Sequence, residues 1–185
     1  MRLDMNQTHR TPIRRNGMSI RRAHLRDMPR VAQIVRSSAS WYEPFVDDSD
    51  MDQHDVDAAW GRDNFKKRDF YVGEVDDTVV GTVTLQDAGM YSYLGYVYLH
   101  ADYTGRGLGK ELLRHARDES RRRGHHGMVL IAHPEADWAT RAYKRFGFEC
   151  IAREEDDVKS WNDGFLAPYY EKGFHLFRYA HEATA

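Results

Sequence analysis

Apolar and polar positions switch between a two-residue and a helical period along this chain. Residues 18–22 read as a short strand. Asp27 then has the character of a helix N-cap, with Pro29 in the first turn, where a missing N–H costs nothing. Met28, Val31, Ile34 and Val35 follow at helical spacing. Residues 40–50, with Trp41, Tyr42 and Phe45, read as a loop, and a weaker helix is predicted over about 52–66. Strands over 70–75 and 78–85 flank Asp76-Asp77, a hairpin turn without the favoured Gly. The near-continuous apolar run 93–99 predicts a central strand buried on both faces. Leu108, Leu112, Leu113 and Ala116 form the buried stripe of a helix running to about residue 123, with Gly124 as its cap. A buried strand over 128–132, a helix over 136–146 ended by Gly147, and strands over 148–152 and 174–179 complete the pattern. Residues 153–173 read as a long connection carrying Trp161, Phe165, Tyr169 and Tyr170. Connections of that length are often functional, and this one suits either a cover for a binding site or a dimer contact.

Composition narrows the classes. With 185 residues the chain suits one domain, expected over 18–182. Hydrophobic residues make up 41%, too many for a disordered chain, and no apolar run reaches the roughly 20 residues of a membrane span. The single cysteine, Cys150, rules out an internal disulfide. A net charge of -2 argues against generic nucleic-acid binding. A soluble, cytoplasmic protein without nucleic-acid or membrane partners is expected. Residues 1–17 hold four arginines against Asp4, show no apolar periodicity, and are expected to form a disordered leader. His125, His126 and His133 lack a recognised ligand spacing, so no metal is expected.

The densest chemical signal is Tyr103-Thr104-Gly105-Arg106-Gly107-Leu108-Gly109-Lys110. A buried strand feeds three alternating glycines that open an amphipathic helix. Glycine lets the backbone turn tightly and approach a ligand. The first N–H groups of a helix lack internal partners, and with the helix dipole they form an anion site. A Walker A loop needs four residues between Gly and Gly-Lys, then Ser or Thr. Here there are three, and Glu111 follows Lys110. A dinucleotide fingerprint needs G-x-G-x-x-G at the start of a Rossmann unit, and this G-x-G-x-G stands past mid-chain.

Residues 99–113 resemble instead the acyl-CoA-binding segment of the GNAT superfamily of N-acetyltransferases, whose pattern is Arg/Gln-x-x-Gly-x-Gly/Ala at a strand–helix junction. Gly107 and Gly109 match the two small positions, while Thr104 replaces the usual Arg or Gln. Downstream, Tyr143-Lys144-Arg145-Phe146-Gly147-Phe148 resembles the family's Tyr-x-Lys/Arg-x-Gly-Phe signature, with Ala139 four residues before the tyrosine. The resemblance covers about residues 18–152, and the last strand extends it to about 180. It implies an α+β fold in which a central mixed, mostly antiparallel sheet is flanked by helices, its splayed central strands forming an acyl-CoA slot. It also implies acetyl transfer from acetyl-CoA, as cosubstrate, to a primary amine by direct attack.

On that resemblance, backbone amides around Thr104, Gly105, Arg106, Gly107, Leu108, Gly109 and Lys110 bind the pyrophosphate. Val97, Tyr98 and Leu99 pair with the pantetheine arm like an added strand. Tyr143 takes the place of the family's general acid, and an ordinary phenol pKa of about 10 keeps it protonated at neutral pH. The carboxylate that many members carry on the strand before the glycine loop is absent, and Ile131 stands where others have Glu on the next strand. His133, two residues on, is the candidate base, since an ordinary histidine pKa near 6.5 suits that role. His100, Asp102 or a water chain ending on Tyr96 or a backbone carbonyl are alternatives. Asp47, Asp48, Asp50, Asp52, Asp55 and Asp57 lie in a segment that often edges the acceptor site in this family. An acidic rim there would attract a small cationic amine or a peptide amine; the same charges also suit a solvated loop. The alternatives to acetyl transfer are a catalytically silent acyl-CoA-binding module and a transferase using another acyl-CoA. A homodimer is compatible with either.

Overall fold

The computed structural model describes residues 13–15, 17–44, 46 and 56–182. Eight strands form one open sheet in the order β1-β2-β3-β4-β5-β6-β8-β7. They are β1 (Ile13–Arg15), β2 (Met18–Arg22), β3 (Asp69–Val75), β4 (Thr78–Ala88), β5 (Tyr91–Leu99), β6 (Gly127–Ala132), β7 (Glu149–Ala152) and β8 (His175–Ala180). Every neighbouring pair is antiparallel except β5–β6, which is parallel. Among the described residues, five α-helices flank the sheet: α1 (Met28–Ser37), α2 (Ala58–Lys67), α3 (Leu108–Arg122), α4 (Asp137–Phe146) and α5 (Glu155–Gly164). The α+β architecture with a mostly antiparallel sheet is therefore the one the sequence led us to expect.

Strand alternation sends successive side chains of β3 to opposite faces, and the core divides accordingly. Tyr71 joins Val80, Val83, Leu85 and Leu94 under the α3 stripe of Leu108, Leu112, Leu113 and Ala116. Phe70 and Val72 instead pack with Met28 and Val31 of α1. The start of α1 is pinned to the sheet electrostatically. Arg21 of β2 reaches Asp27 at 2.8 Å and Glu74 of β3 at 2.7 Å, and Asp27 also accepts the His24 N–H at 2.7 Å. Burial works against the Asp27 charge, but these donors outweigh it and hold its pKa below the ordinary carboxylate value.

One local feature bears out the sequence reading, and others differ from it. The Asp76-Asp77 turn forms without glycine because both residues take left-handed φ angles of 47° and 61°, which Asp tolerates better than most residues. Residues 153–173 contain the helix α5. Its first turn is acidic (Glu155, Asp156, Asp157), which suits the positive end of the helix dipole, and only Val158 is fully buried. A single buried residue leaves almost no periodic stripe to read. Regular helix stops where Asn162 and Asp163 turn left-handed. Finally, Ile13–Arg15, within the stretch expected to be a leader, pairs with β2. The helix expected from about 52 begins at Ala58, where the Asp57 side chain accepts the Trp60 N–H at 2.7 Å. Asp47, Asp48, Asp50, Asp52 and Asp55 lie outside the described residues. Among those described, no helix is long and apolar enough to cross a membrane.

Candidate active site

The site originates in a defect of β5. Thr82 pairs with Tyr98 but Thr84 pairs with Gly95, so Val83 alone opposes Tyr96 and Val97. This is a β-bulge, which bends a strand and raises its local twist. Tyr96 at the bulge has φ +46°, uncommon for a bulky residue. Packing holds it there: its ring stacks on Phe70 at 6.1 Å and meets Trp60 at 5.3 Å, and its hydroxyl accepts the Trp60 Nε1–H at 3.2 Å. The parallel pairing of β5 with β6 consequently covers only Tyr91, Ser92 and Tyr93. Beyond Tyr93 the two strands part, and the edge of Val97, Tyr98 and Leu99 that would face β6 has no strand partner among the described residues.

The gap is a cleft of about 430 Å³. Its walls include residues 93–98 of β5, Leu130–Ala132 of β6, then His133, Tyr143 of α4, Tyr42, Arg68, Tyr169 and Glu171. It is lined by tyrosines, and their chemistry follows from burial. Burial, together with the nearby Tyr42 and Tyr93 rings, pushes the Tyr143 phenol above its ordinary value of 10. Burial and the Glu171 carboxylate push Tyr42 up to about 12, against a hydrogen bond with Tyr98 that lowers it. Burial likewise raises Tyr93 and Tyr98, and Glu171 adds to both. The phenols are therefore neutral donors throughout the physiological range, and the field of one carboxylate reaches three of them.

His133 follows the end of β6 and lines the same cleft as Tyr143. Its Nδ1 accepts the Glu135 N–H at 3.2 Å, and its ring meets Phe174 edge-on at 5.6 Å. Burial lowers its pKa below the ordinary 6.5, more than Glu135 raises it, so the ring is neutral at pH 7. With Nδ1 engaged as an acceptor, the neutral ring carries its proton on Nε2. That geometry makes Nε2 a donor. His100 and Asp102 sit on the loop beyond β5, 3.7 Å from each other, and do not line the cleft.

That loop runs into α3. Gly105 and Gly107 have φ of 75° and 77°, with open space where a Cβ would stand, so the backbone conformation is what requires glycine there. Gly107 is the N-cap of α3, and no side chain caps it. The Thr104 hydroxyl donates to the Ala101 carbonyl at 2.9 Å, and Arg106 folds over the Tyr103 ring at 5.0 Å. Among the described residues, no acceptor meets the N–H groups of residues 105–110. The chain thus presents a row of open amide donors at the end of the strand that edges the cleft.

A model of the acetyltransferase (GNAT) family matches residues 31–148. The chain belongs to the GNAT family of acetyltransferases. An uncharacterized N-acetyltransferase of Methanocaldococcus jannaschii is 31% identical over 115 residues, which is 55% of this chain and 49% of that protein. The match thus spans about half the length of that relative. Among solved structures, the PaiA N-acetyltransferase of Thermoplasma acidophilum in complex with coenzyme A superposes with a TM-score of 0.67 at 17% identity, covering 89% of this chain and 99% of that one. YncA of Salmonella typhimurium, with its cofactor acetyl-CoA, gives 0.61 at 22% identity over 91% and 96% of the two chains. At these identities the structural likeness speaks for the GNAT fold.

The structure brings Tyr143, His133 and residues 97–98 to one GNAT cleft; Leu99 ends β5 without lining it, residues 104–107 lie on the loop beyond, and residues 108–110 form the first turn of α3. Among the cleft residues that escaped the sequence reading are Tyr42, Arg68 and Glu171. Tyr42 and Glu171 lie in segments without period or motif. Arg68 is the last residue before β3, and only the fold turns it inward.

Proposed function

We propose that this protein transfers the acetyl group of acetyl-CoA to the primary amine of a small acceptor. The observation that carries this reading is the opening of β5 from β6 immediately before a row of unsatisfied main-chain amides. The donors at 105–110 fit a diphosphate, being neutral N–H groups at the positive end of a helix. The unpaired edge of Val97, Tyr98 and Leu99 fits the amides of a pantetheine arm, which would add to it like a strand. The coenzyme A and acetyl-CoA held by PaiA and YncA support the same cosubstrate here.

The chemistry balances with groups that this chain supplies. The free amine attacks the thioester carbonyl carbon, a C–N bond forms, and the C–S bond breaks. The attacking nitrogen sheds one proton, and the departing sulfur ends as a thiol. Tyr143, a neutral phenol in the cleft, donates to that sulfur as charge develops on it. For the nitrogen's proton we assign Glu171, the one carboxylate among the described residues lining the cleft, directly or through a water. His133 is the less suited acceptor because its Nδ1 is already engaged by Glu135. These two polar groups in the cleft favour a working transferase over a silent acyl-CoA-binding module.

Tyr143→Phe tests the reading. We expect kcat for thiol release from acetyl-CoA to fall about 100-fold while coenzyme A affinity by calorimetry stays within about twofold, the signature of a group that acts in the transition state. Equal losses in both would remove Tyr143 as the acid. No heat with coenzyme A in the parent protein would end the proposal.

A further inference from the structure

Arg68 lines the cleft from the corner between α2 and β3, and among the described residues it is a cation held in place by neutral groups alone. Its Nε donates to Asn64 Oδ1 at 3.1 Å and its Nη1 to Gln86 Oε1 at 2.8 Å. Gln86 is itself oriented, since its amide donates to the Tyr169 hydroxyl at 3.0 Å. The guanidinium lies 4.9 Å from the Tyr96 ring centre and 5.0 Å from that of Tyr169. Gly95 makes room for it. A Cβ there would stand 3.0 Å from Arg68 Nη1 and 3.1 Å from Thr84 Oγ1.

Arg21 rests on Asp27 and Arg123 on Asp69, whereas Arg30, like Arg68, donates to neutral acceptors, the Val79 carbonyl at 2.9 Å and Gln33 Oε1 at 3.1 Å; of these last two only Arg68 lines the cleft. Arg68 makes no ion pair among the described residues, and Nη2 has no acceptor there. A half-buried guanidinium whose fork is fixed but whose charge is unmatched is a preorganised carboxylate receptor. Glu171, a carboxylate, lines the same cleft, as does a second cation, Lys67.

We infer that the acceptor carries a carboxylate as well as its amine, and that Arg68 binds that carboxylate. The class is an amino acid or a short peptide with a free carboxyl end, not a polyamine. This rests on the acetyl-transfer reading above and adds the acceptor to it. Its carboxylate pairs with the arginine fork, and its amine is drawn to the Glu171 carboxylate in the same cleft.

The test is thiol release from acetyl-CoA across matched acceptors: free amino acids, dipeptides, and the amides and decarboxylated amines of the same side chains. Calorimetric binding of the same compounds to the protein saturated with coenzyme A runs alongside. We expect the carboxylated member of each pair to lead by at least about tenfold in kcat/KM. Arg68→Gln should erase that lead, chiefly through the KM of the carboxylated members, with coenzyme A affinity unchanged. Arg68→Lys, which keeps charge without the fork, should recover part of it. Unchanged coenzyme A affinity certifies that each variant is folded. Dipeptides outperforming free amino acids would identify the longer source of the same chemistry. Amines turned over equally with and without a carboxylate overturn the inference and leave acetyl transfer standing. Carboxylated amines that bind through Arg68 without any thiol release support the receptor and overturn the transferase reading. No binding of any carboxylated compound overturns the inference whatever the turnover.

Discussion

Glu171 and His133 offer two routes for one proton, and their surroundings separate them. Glu171 is a carboxylate whose field reaches Tyr42, Tyr93 and Tyr98. His133 spends one ring nitrogen on the Glu135 N–H. We expect Glu171→Gln to lower kcat about 100-fold and to abolish the acid limb of the pH–rate profile. His133→Ala should cost less than about tenfold and leave that limb where it was. A profile in which the histidine variant alone loses the limb would return the role to His133. Glu171 was unreadable from sequence because nothing local marks it. It stands between Tyr170 and Lys172 in a connection with no motif, and only the return of that connection over the sheet brings it to the cleft that Tyr143 also lines.

At the scale of elements, the loop entering α3 combines backbone strain and ligand access. Gly107 adopts φ +77° as the N-cap, with nothing near its missing side chain. Gly107→Ala should therefore cost about 1–2 kcal/mol of stability from the left-handed conformation alone. It should also weaken coenzyme A binding by disturbing the amides that follow. Denaturant unfolding and calorimetry would check the two effects, and a variant as stable as the parent would contradict the first. Gly127 at the start of β6 has the opposite reason for being glycine. A Cβ there would sit 2.0 Å from the Tyr179 carbonyl oxygen of β8. Gly127→Ala is expected to force the two strands apart and cost about 2 kcal/mol or more, read as a lowered denaturant midpoint. If β6 carries the cleft's second wall as described, that variant should impair thiol release as well.

Across the whole molecule, three histidines share one sign. Burial lowers His133, His175 and His181 below the ordinary 6.5, with Arg153 adding to the effect at His175 and Arg121 at His181. Each therefore binds a proton more readily in the unfolded chain. Unfolded protein holding more protons means that stability rises with pH. Their contribution is fully present above about pH 6.5 and is lost as pH falls below that value toward the folded pKa values. Asp27 and Glu119, whose arginine partners outweigh burial and hold both pKa values down, extend the decline further into acid. Denaturant midpoints should therefore be higher at pH 7.5 than at pH 5.5. A flat or inverted profile would show that other groups dominate.

The periodicities and the two family motifs were local, and local signals determined the element order from β2 to β8 apart from α5, the α3 stripe, the glycine entry to that helix and the place of Tyr143 in its motif. A pattern of period 2 or 3.6 survives in sequence because burial imposes it on each residue separately. Tertiary structure alone decided the cleft. A bulge at Tyr96 parts β5 from β6, and contacts between residues far apart in sequence carry Arg68, Tyr42 and Glu171 to the gap. Their meeting depends on how distant segments pack, and side-chain type at a single position records nothing of that.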